Sequence, residues 1–339
     1  MAASDAAADL SGLALFRGSD GSELVALAST LLAVDEPSGA VIARQGEVAQ
    51  SFLVVTAGEA AVLRDDGDGE HQVATVGPGA IVGELSVLRA APRSATVIAT
   101  RPLTGYAGDA RAFAALLDIP SVADRVARTA RQRLAANTRP VDVTLRDGAR
   151  IRIRPILPSD RGKLADTQPG FSRESHYKRF FSAPPLSEKV VQYLVDVDYG
   201  DHFAWVALAA DAQDGPGVAS ARYIREHATP DTAEVAFSVI DDYQGRGLGT
   251  VLLGALAVAA AENGVRHFRA RVLAENEPMR AILRRAGANL AFTEPGVLET
   301  VVDVPAFGDG LPDLATANAL RMTARDIVVA ADLALGSAT

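Results

Sequence analysis

Cysteine is absent from the 339 residues, which excludes disulfides, thiolate-ligated metal and any covalent intermediate on a cysteine sulfur. The five histidines, His71, His176, His202, His227 and His267, are scattered without H-x-x-x-H spacing, so no metal site is expected. Long hydrophobic runs are also lacking. The longest, Val251 to Ala261, falls short of the roughly 20 residues that cross a bilayer and reads as a packed helix. The opening MAASDAAAD carries no basic stretch ahead of an apolar one, which a secretory leader would show. No membrane partner and a cytoplasmic location are therefore expected. Positive charge is in deficit, with 33 Lys and Arg against 42 Asp and Glu for a net charge of −9. That mean field repels nucleic-acid phosphates, so no nucleic-acid partner is expected.

What is present is core-forming. Hydrophobic residues make up 48% of the chain and charged residues 22%, and the length suits two domains of about 150 residues each. The first half contains short apolar runs such as SFLVVTAGEAAVL, broken by Gly and Asp at intervals suited to a β-barrel, with Gly46, Gly58, Gly77 and Gly79 at its turns. Pro120 to Asn137 has helical periodicity through Val122, Val126, Thr129, Ala130 and Leu134, with arginines on its other face. Beyond Thr138 to Pro140 the chain enters a hairpin around Asp147-Gly148 and then a helix start at Ser159 or Asp160. The stretch RDGARIRIRPI is a turn and an alternating strand, not the two short helices of a DNA reader.

Two motifs carry chemistry. In the run GELSVLRAAPRSATV, Gly83 permits close backbone approach, and the N–H groups of Gly83, Glu84, Leu85 and Ser86 open a helical turn toward an anion. Arg93 supplies a planar bidentate clamp for phosphate oxygens. Glu84 accepts a ribose hydroxyl, a poor role beside a polyphosphate but a good one beside a single phosphodiester. Ser94 and Ala95 complete the wall, and the Ser94 hydroxyl can bond a phosphate or a guanine amino group. The run resembles the phosphate-binding cassette of cyclic-nucleotide-binding domains, with Gly83, Glu84, Leu85, Pro92, Arg93, Ala95, Thr96 and Val97 in register. The sequence Arg93-Ser94-Ala95 is similar to that of bacterial cyclic-AMP receptors, so the resemblance implies cyclic AMP in preference to cyclic GMP.

The second motif is QGRGLG, Gln244 to Gly249, at a strand-to-helix turn. In the preceding strand Val235, Phe237 and Val239 share one face, and Glu234, Ala236 and Ser238 the other. The helix stripe runs Leu248, Val251, Leu252, Ala255, Ala259, so the free N–H groups of its first turn form an anion site suited to a pyrophosphate. A Rossmann fingerprint needs G-x-G-x-x-G with an acid about twenty residues on; this spacing is Q-x-x-G-x-G. It resembles motif A of the GCN5-related N-acetyltransferases, and the resemblance extends over residues 148–295, including Asn276, Leu283 and Gly287 in the following motif. It implies that Gln244, Gly245, Arg246, Gly247, Leu248, Gly249, Thr250 and Asn276 hold acetyl-CoA. The backbone of Phe237, Ser238, Val239 and Ile240 is implied to pair with the pantetheine arm. Glu234 is implied as the general base, with partial burial raising its pKa. Arg284 stands where the family often has a tyrosine acid, which leaves thiolate departure to another group or to solvent.

A sensor followed by an acetyltransferase resembles the cyclic-AMP-regulated protein lysine acetyltransferases of mycobacteria. The expected architecture is an N-terminal jelly-roll-like β-barrel with flanking helices (residues 1–136), a linker (137–147), and an α+β acetyltransferase domain (148–295). A C-terminal segment (296–339) follows as surplus to the fold, with an apolar stripe at Leu314, Leu320, Met322 and Ile327 to Val329, and is implied to be an autoinhibitory lid. The stretch around His176, Phe171 to Phe181, is similar to the acceptor side of bacterial protein lysine acetyltransferases. The implied partners are protein acceptors with a target lysine, such as acyl-CoA synthetases. A cyclic-nucleotide-gated enzyme for a small amine and a non-catalytic double ligand sensor are the alternatives left by the motifs.

Overall fold

A computed structural model describes residues 3–336, apart from 49–50, 66, 68, 90, 182–183 and 211–214. The chain divides into two compact units, with boundaries between Ala130 and Arg131 and between Val328 and Val329.

The first unit opens with α1 (Ala3–Ser11) and α2 (Gly21–Ala28). The second of these is fixed by a capping box in which the Asp20 carboxylate accepts from the Ser22 N–H and Glu23 reaches back to the Asp20 N–H. Eight strands follow: β1 (Leu32–Glu36), β2 (Val41–Ala43), β3 (Ser51–Ala57), β4 (Ala60–Asp65), β5 (Glu70–Val76), β6 (Ile81–Val82), β7 (Thr96–Ala99) and β8 (Leu103–Asp109). They form two four-stranded antiparallel sheets, ordered β1-β8-β3-β6 and β2-β7-β4-β5, the arrangement of a jelly roll. Alternation in β3 sends Leu53 and Val55 into one cluster with Val97, Ala99 and Leu103. Phe52 and Val54 point the other way, against Leu10, Phe16, Leu24, Phe113 and Leu116 of the helices. The short α3 (Glu84–Arg89) interrupts the strands, and α4 (Ala110–Leu117) and α5 (Pro120–Ala136) close the unit. Val122, Val126 and Ala130 of α5 are buried at the expected period, and the division at Ala130 falls within this helix.

The second unit is built on an eight-stranded sheet, ordered β15-β16-β14-β13-β12-β11-β10-β9. Its strands are β9 (Val141–Thr144), β10 (Arg150–Pro155), β11 (His202–Ala209), β12 (Gly217–Arg225), β13 (Thr232–Val239), β14 (His267–Leu273), β15 (Ala291–Glu294) and β16 (Val297–Asp303). All pairs are antiparallel except β13 with β14. The helices are α6 (Arg161–Thr167), α7 (Arg173–Phe180), α8 (Glu188–Val195), α9 (Leu248–Glu262), α10 (Glu277–Arg285) and, up to Val328, α11 (Leu314–Gly336). One sheet face carries Phe203, Trp205 and Tyr223 against the almost wholly buried α9, whose Ala255 carbonyl accepts from Trp205 Nε1 at 2.9 Å. Helix α6 packs on β12 and α8, and α7 on β13.

Three sequence expectations need correction. The stretch 137–147 is not wholly linker, because β9 pairs along its length with β10 around the Asp147-Gly148 turn. The segment 296–339 is not wholly surplus, because β16 lies between β14 and β15 and is paired with β14 from end to end. The apolar stripe of α11 also differs. Leu314 and Met322 are exposed, and the buried face is Ala317, Leu320, Ala324, Ile327 and Val328.

Candidate functional sites

In the first unit the turn before α3 is set by Gly83, whose φ is +89°. A Cβ there would lie 1.8 Å from Arg93 Nη1, so glycine is what lets the guanidinium lie flat over the turn. Arg93 is anchored from its other end: Nη2 donates to the Ser51 carbonyl at 2.8 Å, and the Arg93 N–H donates to the Glu47 carbonyl at 2.8 Å. Nη1, against Gly83, is buried and has no hydrogen-bond partner among the described residues. Burial lowers the Arg93 pKa, and the nearby charges of Glu84 and Glu47 oppose that shift. Glu84 is 1% exposed and Ser86 4%; a carboxylate is buried this deeply only when the site supplies it with positive charge or donors. Leu85 is buried, while Ser94 is exposed and Ala95 half-buried. Gly83, Glu84 and Arg93 thus converge, and Ser94 stands at the rim.

The second site lies at the end of β13. Pairing with β14 runs only from Thr232 to Glu234, against His267 to Arg269. Pairing with β12 continues to Val239, and the Ile240 N–H still reaches the Val218 carbonyl. From Val235 to Ile240 the β14-facing edge of β13 is therefore open. Past it Gly245 and Gly247 take φ of +74° and +88°, and α9 begins at Leu248. Among the described residues no acceptor is found for the N–H groups of Gly245, Arg246, Gly247, Leu248 and Gly249, whereas Thr250 and Val251 already bond back to the Gly247 carbonyl. The result is a row of free donors at a long helix N-terminus, which fits a pyrophosphate.

Side chains brace this turn. Gln244 Nε2 donates to the Ser175 hydroxyl and the Val239 carbonyl, each at 3.1 Å, and the Asp241 carboxylate accepts from the Ser172 N–H at 3.2 Å. Helix α7 is thereby tied to the turn. Desolvation raises the pKa of Asp241, but the hydrogen bonds from Ser175 and Ser172 outweigh it and the net shift is downward. Arg246 stacks on Tyr243 and pairs with Asp147 at 3.3 Å. Arg146, on the β9–β10 turn, sits 3.6 Å from where a Gly247 Cβ would be. Sequence reasoning missed this cation, because nothing local marks a residue about a hundred positions away as a neighbour of the turn. Asn276 caps α10, accepting from the Met279 N–H at 3.3 Å.

Glu234 closes the fork, at the last β13 position paired to β14. Glu234 is exposed rather than partly buried as expected; the β13 face it shares with Ala236 and Ser238 opens to solvent at that end. In the Phe171–Phe181 segment His176 is 1% exposed and packs on Phe180, while Tyr177 and Phe181 are exposed. Among the described residues no group of acids and histidines could hold a metal ion, and no helix is long and apolar enough to cross a membrane.

A phosphodiester pocket on a jelly roll and a splayed strand leading to a donor-rich turn define the class, an acyltransferase joined to a nucleotide-binding sensor. Family models agree: residues 34–119 match the cyclic nucleotide-binding domain and residues 150–289 the acetyltransferase (GNAT) domain. Acetyltransferase Pat of Mycolicibacterium smegmatis is 44% identical over 299 residues, spanning 88% of this chain and 89% of that protein. A solved mutant of a cAMP-binding acyltransferase from Mycobacterium smegmatis is 38% identical, with coverage of 97% and 98% and a TM-score of 0.50. The regulatory subunit of cAMP-dependent protein kinase from Mucor circinelloides f. lusitanicus is 33% identical over 108 residues, covering 32% of this chain and 25% of that one. The chain belongs to the Pat acetyltransferase family, with a cyclic nucleotide-binding domain followed by a GNAT domain, and is an N-acetyltransferase.

Proposed function

We propose that the chain is a cyclic-AMP-activated protein lysine N-acetyltransferase, with acetyl-CoA as acyl donor and lysines of proteins such as acyl-CoA synthetases as acceptors. The observation that carries the reading is the end of β13, where Glu234 stands at the fork and the open edge of 235–240 leads to the free N–H row of 245–249. Acetyl-CoA, when bound, supplies an activated thioester carbonyl. The N–H row takes the pyrophosphate, with Arg146 and Arg246 adding positive charge, and the open β13 edge takes the pantetheine amides as an added strand. A lysine amine has an ordinary pKa near about 10.4 and attacks only when neutral, so Glu234 removes its proton, directly or through water. The amine nitrogen bonds to the acyl carbon, the C–S bond breaks, and the thiolate is protonated from solvent.

In the first unit Arg93 clamps the cyclic phosphate with its free Nη1, Gly83 gives the approach, and Glu84 takes the ribose hydroxyl. The related acyltransferase described as cAMP-binding favours cyclic AMP here. The nucleotide shifts the enzyme only by its difference in affinity between the inactive and active states, and α11 is the segment we assign as the lid.

Transfer to a purified acyl-CoA synthetase, followed by mass spectrometry of its lysines, tests this reading. Glu234→Ala should lose most of the rate at saturating acceptor, and full rate in that variant would remove Glu234 as base. Turnover on polyamines without any protein acceptor would move the acceptor class to small amines. Absence of CoA release with every acceptor would leave a double ligand sensor.

A further inference from the structure

On the Glu234 face of the sheet the second unit has a small cleft of about 30 Å³, between β11, β12 and β13 on one side and α6, α7 and α8 on the other. Register places Arg222 opposite Ala236 and Ser220 opposite Ser238, and Ile224 opposite Glu234. Because alternate residues share a face, Ser220 and Arg222 lie on the same side as Glu234. The lining is largely apolar, with Ile156, Leu164, Phe171, Leu194 and Val206. Its charged members are Lys163, Arg179, Arg222 and Asp160.

Asp160 is already committed. It is 3% exposed, and both its oxygens are held by Arg154, at 2.6 and 2.7 Å. Arg222 and Arg179 have no such carboxylate clamp among the described residues. Arg222 is 2% exposed, and among the described residues its Nη1 meets the Leu194 carbonyl at 2.9 Å and His202 Nε2 at 3.1 Å. Its Nε, and the Nε of Arg179, have no hydrogen-bond partner among the described residues. Arg179 stacks on Phe180. Burial first, then the proximity of Arg179, pulls the Arg222 pKa down to about 9; burial pulls Arg179 to about 10, eased only by the charge of exposed Glu234. Both remain protonated at neutral pH. Two guanidiniums in an apolar cleft with unused donors are costly without an anion between them.

We propose that this cleft is a subsite for a carboxylate on a short aliphatic chain, gripped by Arg222 and Arg179 with the chain against Leu164, Leu194 and Val206. Two sources carry that chemistry: the distal carboxylate of a dicarboxylic acyl thioester, or an acidic side chain of the acceptor protein. The donor case rests on the acyl-transfer reading of Glu234 and β13; the binding case does not. In the donor case the amine nitrogen bonds to the thioester carbon, the C–S bond breaks, the amine proton leaves through Glu234 and the thiolate takes a proton from solvent, while the distal carboxylate stays unreacted.

Titration calorimetry of the full chain with glutarate is the first test, independent of any turnover. Saturable binding is expected, weakened about ten- to hundredfold in Arg222→Met and in Arg179→Met, and partly restored in Arg222→Lys. Because Arg222→Met also strips the Leu194 carbonyl of its donor, Arg179→Met keeps the test valid should that variant fail to fold. No saturable binding, or wild-type affinity in both Met variants, overturns the proposal. Once binding is seen, kcat/KM for succinyl-CoA against butyryl-CoA identifies the source. A preference for succinyl that Arg179→Met abolishes assigns the subsite to the acyl group. No such preference, with glutarate competing against the protein acceptor, assigns it to the acceptor. Loss of all acyl transfer with glutarate binding intact would count against the acetyltransferase mechanism and leave the subsite standing.

Discussion

Replacing Gly83 with alanine isolates the nucleotide site with one methyl group. The backbone at this position has φ of +89°, which costs a residue with a Cβ about 1–2 kcal/mol. The new Cβ would lie 1.8 Å from Arg93 Nη1 and 2.9 Å from its Cζ, so the guanidinium must leave and give up its 2.8 Å bond to the Ser51 carbonyl. Departure also removes the Nη1 donor, buried and without a partner among the described residues, that we assign to the phosphate. A charge-assisted hydrogen bond is worth about 1.5–3 kcal/mol, or about ten- to hundredfold in affinity. Calorimetric titration with cyclic AMP should therefore show Gly83→Ala weakened by at least about tenfold, with thermal unfolding of the first unit lowered by about 1–2 kcal/mol. Wild-type affinity for cyclic AMP in this variant would refute the placement of Arg93 over the Gly83 turn.

Arg93→Lys keeps the charge but loses the fork, and should weaken cyclic AMP about tenfold in the same titration. Glu234→Gln should lower kcat/KM by about 10²–10⁴, as measured by CoA release. Arg154→Met leaves the Asp160 carboxylate buried without its partner, and should cost about 3–5 kcal/mol in denaturant unfolding of the second unit. Asp241 has a lowered pKa in the folded chain because the Ser175 and Ser172 hydrogen bonds outweigh desolvation. Its contribution is present above the ordinary carboxylate pKa and is lost as pH falls through the lower folded value. Urea melts below about pH 4 should thus decline less steeply in Asp241→Asn than in wild type.

The two motifs were legible because each is a contiguous run whose chemistry depends on local backbone. Gly83 to Ala95 and Gln244 to Gly249 carry their own turns and donors. Elements made by long-range pairing were not. The strand VLETVVD of β16 alternates, but its place beside β14 is fixed by hydrogen bonds to residues some thirty positions earlier. The hairpin around Asp147-Gly148 was legible, but its first strand begins at Val141, inside the stretch assigned as linker. Helix α11 misled in another way. Its buried face includes Ala317 and Ala324, which give a weak hydrophobic signal, while the bulky Leu314 and Met322 point outward. Arg222 was hidden within VASARYIR, where an arginine in an alternating strand reads as a solvent-facing residue. Only the helices packed over that face make it buried.

The most direct measurement is the rate of acetyl transfer from acetyl-CoA to the lysines of a purified acyl-CoA synthetase, with and without saturating cyclic AMP. Nucleotide should raise the wild-type rate, and Gly83→Ala should need at least about tenfold more nucleotide for half-maximal stimulation. A rate independent of cyclic AMP, in a chain that binds the nucleotide, would contradict the coupling of the two sites.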